Sequence, residues 1–208
     1  MKRTTGETTQ LLFFICYLVR RVGRSISPCA LLPPPKWNID VVRDCTKFDF
    51  EEIYEIINDA ATSYQGIIPA DCWKEPYMPT SELRHEISDG VKFFGEERMG
   101  NLIGVMGRQS RGDVTLLRHA YVRTAWRNQG VGSDLLRHLL AGADHPVLIG
   151  TWSVAHWAVR FYEKHGFAVI RGARKDALLK KYWSLSARQI ENSVVLADPN
   201  WVGASRSS

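Results

Sequence analysis

Arg118-His119-Ala120-Tyr121-Val122-Arg123-Thr124-Ala125-Trp126-Arg127-Asn128-Gln129-Gly130-Val131-Gly132 begins as an extended, half-apolar segment and passes through a polar turn. It then places two glycines where a helical pattern, Ser133 to Ala141, begins. That order of features suits an anion. The first four backbone N–H groups of a helix lack intrahelical acceptors, and the macrodipole adds roughly half a positive charge there. Glycines let the main chain close on a phosphate, and arginines add charge-assisted hydrogen bonds.

Downstream, Val131, Leu135, Leu136, Leu139 and Leu140 make an amphipathic helix, and Pro146 introduces a strand from Val147 to Thr151. Ser153 is placed to cap a helix from Val154 to His165, whose last turn carries Lys164 and His165 before Gly166. Phe167 to Ile170 reads as a strand. Residues 174–191 look helical, with Ser186 and Gln189 spaced as a capping box, and Ser193 to Ala197 is a final strand.

Upstream, Asn38 to Arg43 alternates as a short strand, and Asp49 with Glu52 three residues later reads as a helix start. Apolar residues from Phe50 to Tyr64 recur at helical spacing. An aromatic, turn-rich connection, Tyr64 to Pro79, precedes a short helix from Ser81 to Asp89. Val91 to Phe94, Asn101 to Arg108 and Val114 to Val122 then form an antiparallel meander broken by glycine turns. The chain is expected to be α+β, with a mixed, mostly antiparallel sheet of about seven strands and helices on both faces. The polar turn falls at the carboxyl end of the fourth strand, where ligands of open sheets collect.

The net charge of +5 invites a nucleic-acid reading. Residues 1–36 hold six basic side chains against one acidic, so the remainder balances at 21 of each sign. No nucleic-acid partner is therefore expected for the folded part. Residues 1–36 are read as a basic, disordered extension and residues 37–208 as one domain. The apolar run Leu11 to Val19 is too short for stable membrane insertion, for which about 20 residues are needed, and no small-x-small cleavage site follows it. Cys16, Cys29, Cys45 and Cys72 form no CxxC pair and have no histidine at metal-ligand spacing, so no metal is expected and a cytoplasmic, reduced setting fits.

Three phosphate loops compete for the glycine turn. A nucleoside-triphosphate loop needs GxxxxGK[ST], and no Lys-Ser or Lys-Thr follows Gly132. A dinucleotide fingerprint needs GxGxxG, but Leu135 stands in the third glycine's place and the preceding strand belongs to an antiparallel run. The third is a resemblance. Arg127-Asn128-Gln129-Gly130-Val131-Gly132 is similar to the [RQ]-x-x-G-x-[GA] motif of the GNAT superfamily of N-acetyltransferases. Ala158 with Phe161-Tyr162-Glu163-Lys164-His165-Gly166-Phe167 resembles the family's A-x-x-[FL]-Y-x-x-x-G-F segment. The element order resembles the family fold from about Asn38 to Ala197.

The resemblance implies a single GNAT-like domain that transfers acetyl from acetyl-CoA to a small-molecule or peptide primary amine. A homodimer is compatible with it. The main chain at Asn128, Gln129, Gly130, Val131, Gly132 and Ser133 would hold the pyrophosphate, with Arg123 or Arg127 nearby. Main chain at Ala120, Tyr121 and Val122 would polarise the thioester carbonyl. Tyr162 would protonate the leaving thiolate, a role suited to a phenol with an ordinary pKa near 10. His119 is the candidate base by position, although strand alternation sets it opposite Leu116, Arg118 and Ala120. Family members often carry Asn where this chain has Ala155, which removes a hydrogen bond to the cofactor arm unless Trp152 or Ser153 compensates. Tyr64, Trp73, Glu75 and Tyr77 are candidate acceptor contacts: an aromatic lining with one carboxylate for an ammonium. The long connection Arg171 to Asn192 is expected to cover the acceptor side. The alternative function is a non-catalytic acyl-CoA-binding sensor or interaction module.

Overall fold

The computed structural model describes residues 41–199 and 201, so the expected extension at 1–36 lies outside the described residues. Seven strands form one sheet: β1 (Val41–Asp44), β2 (Lys92–Arg98), β3 (Asn101–Arg111), β4 (Val114–Val122), β5 (Val147–Trp152), β6 (Ala168–Ile170) and β7 (Ser193–Ala197). Their spatial order is β1-β2-β3-β4-β5-β7-β6, and every pair is antiparallel except β4 with β5. The expected α+β class and mixed sheet are what the chain forms.

Helices cover both faces. On one lie α3 (Val131–Ala141) and α4 (His156–Lys164), which bury Leu135, Leu139 and Tyr162 against Ile103, Leu117, Ile149 and Leu196. The other face carries α1 (Phe50–Ala61) and α2 (Thr80–Ser88) over β2 and β3, burying Ile53, Ile57 and Leu83 with Phe93 and Val105. On the same side α5 (Gly172–Tyr182) and α6 (Ala187–Glu191) pack Leu178, Leu179 and Ile190 against Leu116, Leu148 and Val195. The 174–191 stretch is thus two helices, with the Ser186–Gln189 capping box starting the second. Among the described residues it backs the sheet, and Arg188, 3.3 Å from Asp71, joins it to the aromatic connection.

Asp49 is the N-cap residue of α1 as expected, but the capping hydrogen bonds at two helix starts differ from those the spacing predicts. At α1 the reciprocal capping box is formed by Thr46 and Asp49 around the 3₁₀ turn Lys47–Asp49. The Asp49 carboxylate is taken by Arg43 at 2.8 Å, while Glu52 accepts the Leu102 N–H. At α4, Ser153 donates to the Asn192 carbonyl and Ala155 occupies the cap. In both places a partner distant in sequence outcompetes the local cap.

What positions the site is a parting of two strands. The β4–β5 pairing covers only Thr115–Leu117 with Val147–Ile149, and beyond it the strands separate. The β3–β4 register also slips, Val105 facing Tyr121 while Gly107 faces Arg118, so β4 holds one extra residue at His119–Ala120. His119 carries a positive φ of 51° at that bulge.

Candidate active site

Past the end of the β4–β5 pairing lies a cleft of about 730 Å³, lined on one side by Ala120, Tyr121 and Val122 of β4 and on the other by Trp157, Phe161 and Tyr162 of α4. The N-terminus of α3 closes one end. Asn128 and Gly130 adopt positive φ, 61° and 89°, which folds the turn back so that the start of α3 faces the cleft. Ser133 and Asp134 donate to the Gly130 carbonyl, so the N–H groups of Val131 and Gly132 are the ones without an intrahelical acceptor. Gly104 on β3 lets this helix end approach: a Cβ there would meet Val131 Cγ1 at 2.6 Å.

Of the arginines in the turn, Arg127 lines the cleft while donating through Nη2 to the Ala60 carbonyl, 2.9 Å away. Arg123 is turned out, donating to the Leu102 carbonyl and pairing with Glu55 at 3.2 Å, which removes it as the expected phosphate partner. Lys164 supplies a second lining cation that motif reading did not single out. Ser133 Oγ lies 3.1 Å from His165 Nε2, tying α3 to the end of α4.

The bulge leaves main chain near His119 and Ala120 outside the β3 ladder at the level where β5 has already parted. It also corrects the side-chain parity. His119 does not line the cleft: its Nε2 is 3.2 Å from Glu86 Oε2, and its ring stacks on Phe93. Arg118, 2.7 Å from the same carboxylate, shares that face, whereas Ala120 turns toward α3. Burial of Glu86 works against its charge, but the His119 hydrogen bond and Arg118 prevail and hold its pKa below the usual carboxylate range. His119 is therefore a clamp on α2, far from the position a base would need.

Tyr162 is where the motif put it, in the cleft wall. Burial, and then the neighbouring Tyr64, raise its pKa above the ordinary phenol value, so it stays protonated well beyond neutrality. Tyr64, Tyr77 and Tyr121 gather beside it: Tyr64 is 5.8 Å from Tyr77 and 6.4 Å, edge-on, from Tyr121, while the Tyr77 hydroxyl accepts from Trp152 Nε1 at 3.1 Å and bonds to Tyr121. Trp157 lies tilted 5.6 Å from Tyr64 and Trp73 5.5 Å from Tyr77; Tyr64 and Trp157 line the cleft, while Tyr77 and Trp73 pack with Trp152 and Ala155 and do not. Trp157 is 42% exposed at the cleft. Glu75 is exposed on the connection and does not line the cleft, so the expected carboxylate is not part of this aromatic group. Trp152 and Ser153 are engaged by Tyr77 and Asn192, and neither substitutes for the side chain that Ala155 lacks.

Among the described residues no group of three or more His, Cys, Asp or Glu is placed to hold a metal ion, and no helix is long and apolar enough to cross a membrane.

The model of the acetyltransferase (GNAT) domain family matches residues 58–179, a span running from α1 through α5. A GNAT-family acetyltransferase from Staphylococcus aureus superposes with a TM-score of 0.56 at 17% identity, covering 76% of this chain and 99% of its own. The PaiA N-acetyltransferase of Thermoplasma acidophilum, solved with coenzyme A, gives 0.57 at 17% identity over 76% and 97%. The ribosomal-protein-S18-alanine N-acetyltransferase of Escherichia coli gives 0.52 at 16% over 77% and 94%. At these identities the likeness is one of fold. Comparison with curated protein sequences finds no match.

Proposed function

This chain belongs to the GNAT family of acetyltransferases, and from that premise we propose that it is an N-acetyltransferase, moving acetyl directly from acetyl-CoA to a primary amine of a small molecule or peptide. The observation that carries the reading is the parting of β4 from β5 beside a helix N-terminus, with Tyr162 in the wall. The cleft volume is in the range of ligand sites and its residues fit the donor. The free N–H groups of Val131 and Gly132, with neighbouring amides of Asn128 to Ser133, suit a pyrophosphate, and Arg127 and Lys164 add charge. The cofactor arm would follow the gap between the strands.

The amine lone pair attacks the thioester carbonyl, whose oxygen gains negative charge that main-chain N–H at the β4 bulge, outside the register of the β3 ladder, would receive. The C–S bond then breaks. Tyr162, protonated at neutral pH, gives its proton to the thiolate sulfur, the amine loses one to solvent, and the phenol is refilled from water. No side chain is assigned as a dedicated base.

The reading is tested by thiol release from acetyl-CoA across a panel of amines with a no-acceptor control. Amine-dependent release supports transfer. Acetyl-CoA binding without release for any amine favours the acyl-CoA-binding module, which Ala155 and the engaged Trp152 and Ser153 would suit. We place the activity in residues 37–208 and in the cytoplasm.

A further inference from the structure

We infer that the acceptor is an aromatic primary amine whose nitrogen is already unprotonated at neutral pH. The inference rests on the acetyltransferase reading above and narrows its substrate class. Its first support is shape: the cleft beside Tyr162 is lined by the rings of Tyr64, Tyr121, Trp157 and Phe161, with Tyr77 and Trp73 packed in series behind Tyr64 at 5.8 and 5.5 Å. A planar aromatic ring stacks or meets such a wall edge-on, gaining contact that a thin aliphatic chain does not.

Its second support is charge. Among the described residues that line the cleft there is no carboxylate and no imidazole, and its two cations, Arg127 and Lys164, are matched to the donor's phosphates. The carboxylates nearest in sequence to the aromatic wall are occupied or exposed: Asp71 pairs with Arg188, Glu82 with Lys74, and Glu75 is exposed on the connection. An alkylammonium entering here would lose water with no anion to replace it, and cation–π contact with the rings only partly offsets that loss.

Its third support is protonation. An alkylamine with the basicity of lysine is neutral in only about one molecule in 2,500 at pH 7, so without a side-chain base its acetylation is slowed by that fraction. His119 points across the sheet at Glu86, and the phenols of Tyr64, Tyr77 and Tyr121 have pKa values raised first of all by burial, which keeps them from accepting a proton as phenolates. An arylamine needs no such group, because its lone pair is delocalised into the ring and it carries no proton at neutral pH. That lone pair forms the C–N bond as the carbonyl π pair moves onto oxygen, and the C–S bond breaks when that pair returns. The tetrahedral adduct passes an N–H proton to water, and Tyr162 supplies the one the sulfur takes up.

The test measures thiol release from acetyl-CoA with 4-methylaniline, benzylamine, n-hexylamine and a peptide with a free α-amine, each between about pH 6 and pH 8. The expected kcat/KM for 4-methylaniline is the highest of the four at pH 7 and flat with pH, while that for benzylamine is lower and climbs about tenfold per pH unit. Trp157→Ala, at a half-exposed position, should raise the 4-methylaniline KM about fivefold with kcat retained. Faster turnover of n-hexylamine, benzylamine or the peptide, or an unchanged KM in Trp157→Ala, overturns the inference and leaves the transferase reading standing. No release with any of the four overturns both.

Discussion

Tyr162 sits between two aromatic neighbours, with ring centroids 5.0 Å from Phe161 and 5.9 Å from Phe167, so its hydroxyl is held by packing rather than by a flexible stem. Tyr162→Phe keeps that packing and removes only the proton. It is expected to lower kcat by about 10²–10⁴-fold with the acetyl-CoA KM nearly unchanged, as read by steady-state thiol release. The sign with pH follows from the neutral phenol being the active acid: burial disfavours phenolate and raises the pKa, so activity should persist as pH rises past about 10 and fall only above it. A pH–rate profile of Tyr162→Phe should lack that alkaline loss. Tyr162 was legible because its place is written in a local motif. Tyr121 as a side chain was not: the extra residue at His119–Ala120 inverts the alternation, and nothing in Arg118 to Val122 marks a bulge that depends on β3. The same inversion carries His119 to Glu86.

At the scale of elements, the proposed anion site at the start of α3 depends on that helix lying close to β3. Gly104 permits this, and a methyl there would meet Val131 at 2.6 Å, Leu135 at 3.3 Å and the Tyr121 carbonyl at 3.3 Å. Gly104→Ala is therefore expected to destabilise by about 1–3 kcal/mol and to weaken acetyl-CoA binding, as measured by denaturant unfolding and calorimetric titration. The start of α1 gives an electrostatic prediction. Arg43 first of all, then the Thr46 N–H and hydroxyl, hold the Asp49 carboxyl well below the usual carboxylate range against the opposing effect of burial. A depressed folded pKa contributes stability that is present above the unfolded pKa near 4 and is lost as pH falls below it. The melting temperature advantage of the wild type over Asp49→Asn should accordingly be full at pH 6 and shrink on acidification below about pH 4. Helical spans and strands were legible here because periodicity is local. Caps were less so, because Arg43, Leu102 and Asn192 compete for the same groups from other parts of the chain.

For the whole molecule, function follows from an interruption in the sheet. Among the described residues five of the six strand pairings are antiparallel and one, β4 with β5, is parallel and short. The helices α5 and α6 back it from one face, α3 and α4 from the other, and the aromatic connection Tyr64 to Pro79 meets its open end. The order of elements was readable from the sequence, since turn glycines punctuate it. Which face the 171–192 connection covers was not readable, because both faces of an interior strand are apolar and give no direction. Removal of residues 1–36 is expected to leave the melting temperature and acetyl-CoA affinity of the domain unchanged, as measured by thermal melts and titration; loss of either would make that segment part of the domain. The most direct measurement is a crystal structure with acetyl-CoA bound. The expected complex has the pyrophosphate on the N–H groups of Val131 and Gly132, and the thioester between β4 and β5 with its sulfur within about 3.5 Å of the Tyr162 hydroxyl. Acetyl-CoA bound outside the gap, or a sulfur on the α2 side near His119 and Glu86, would contradict it.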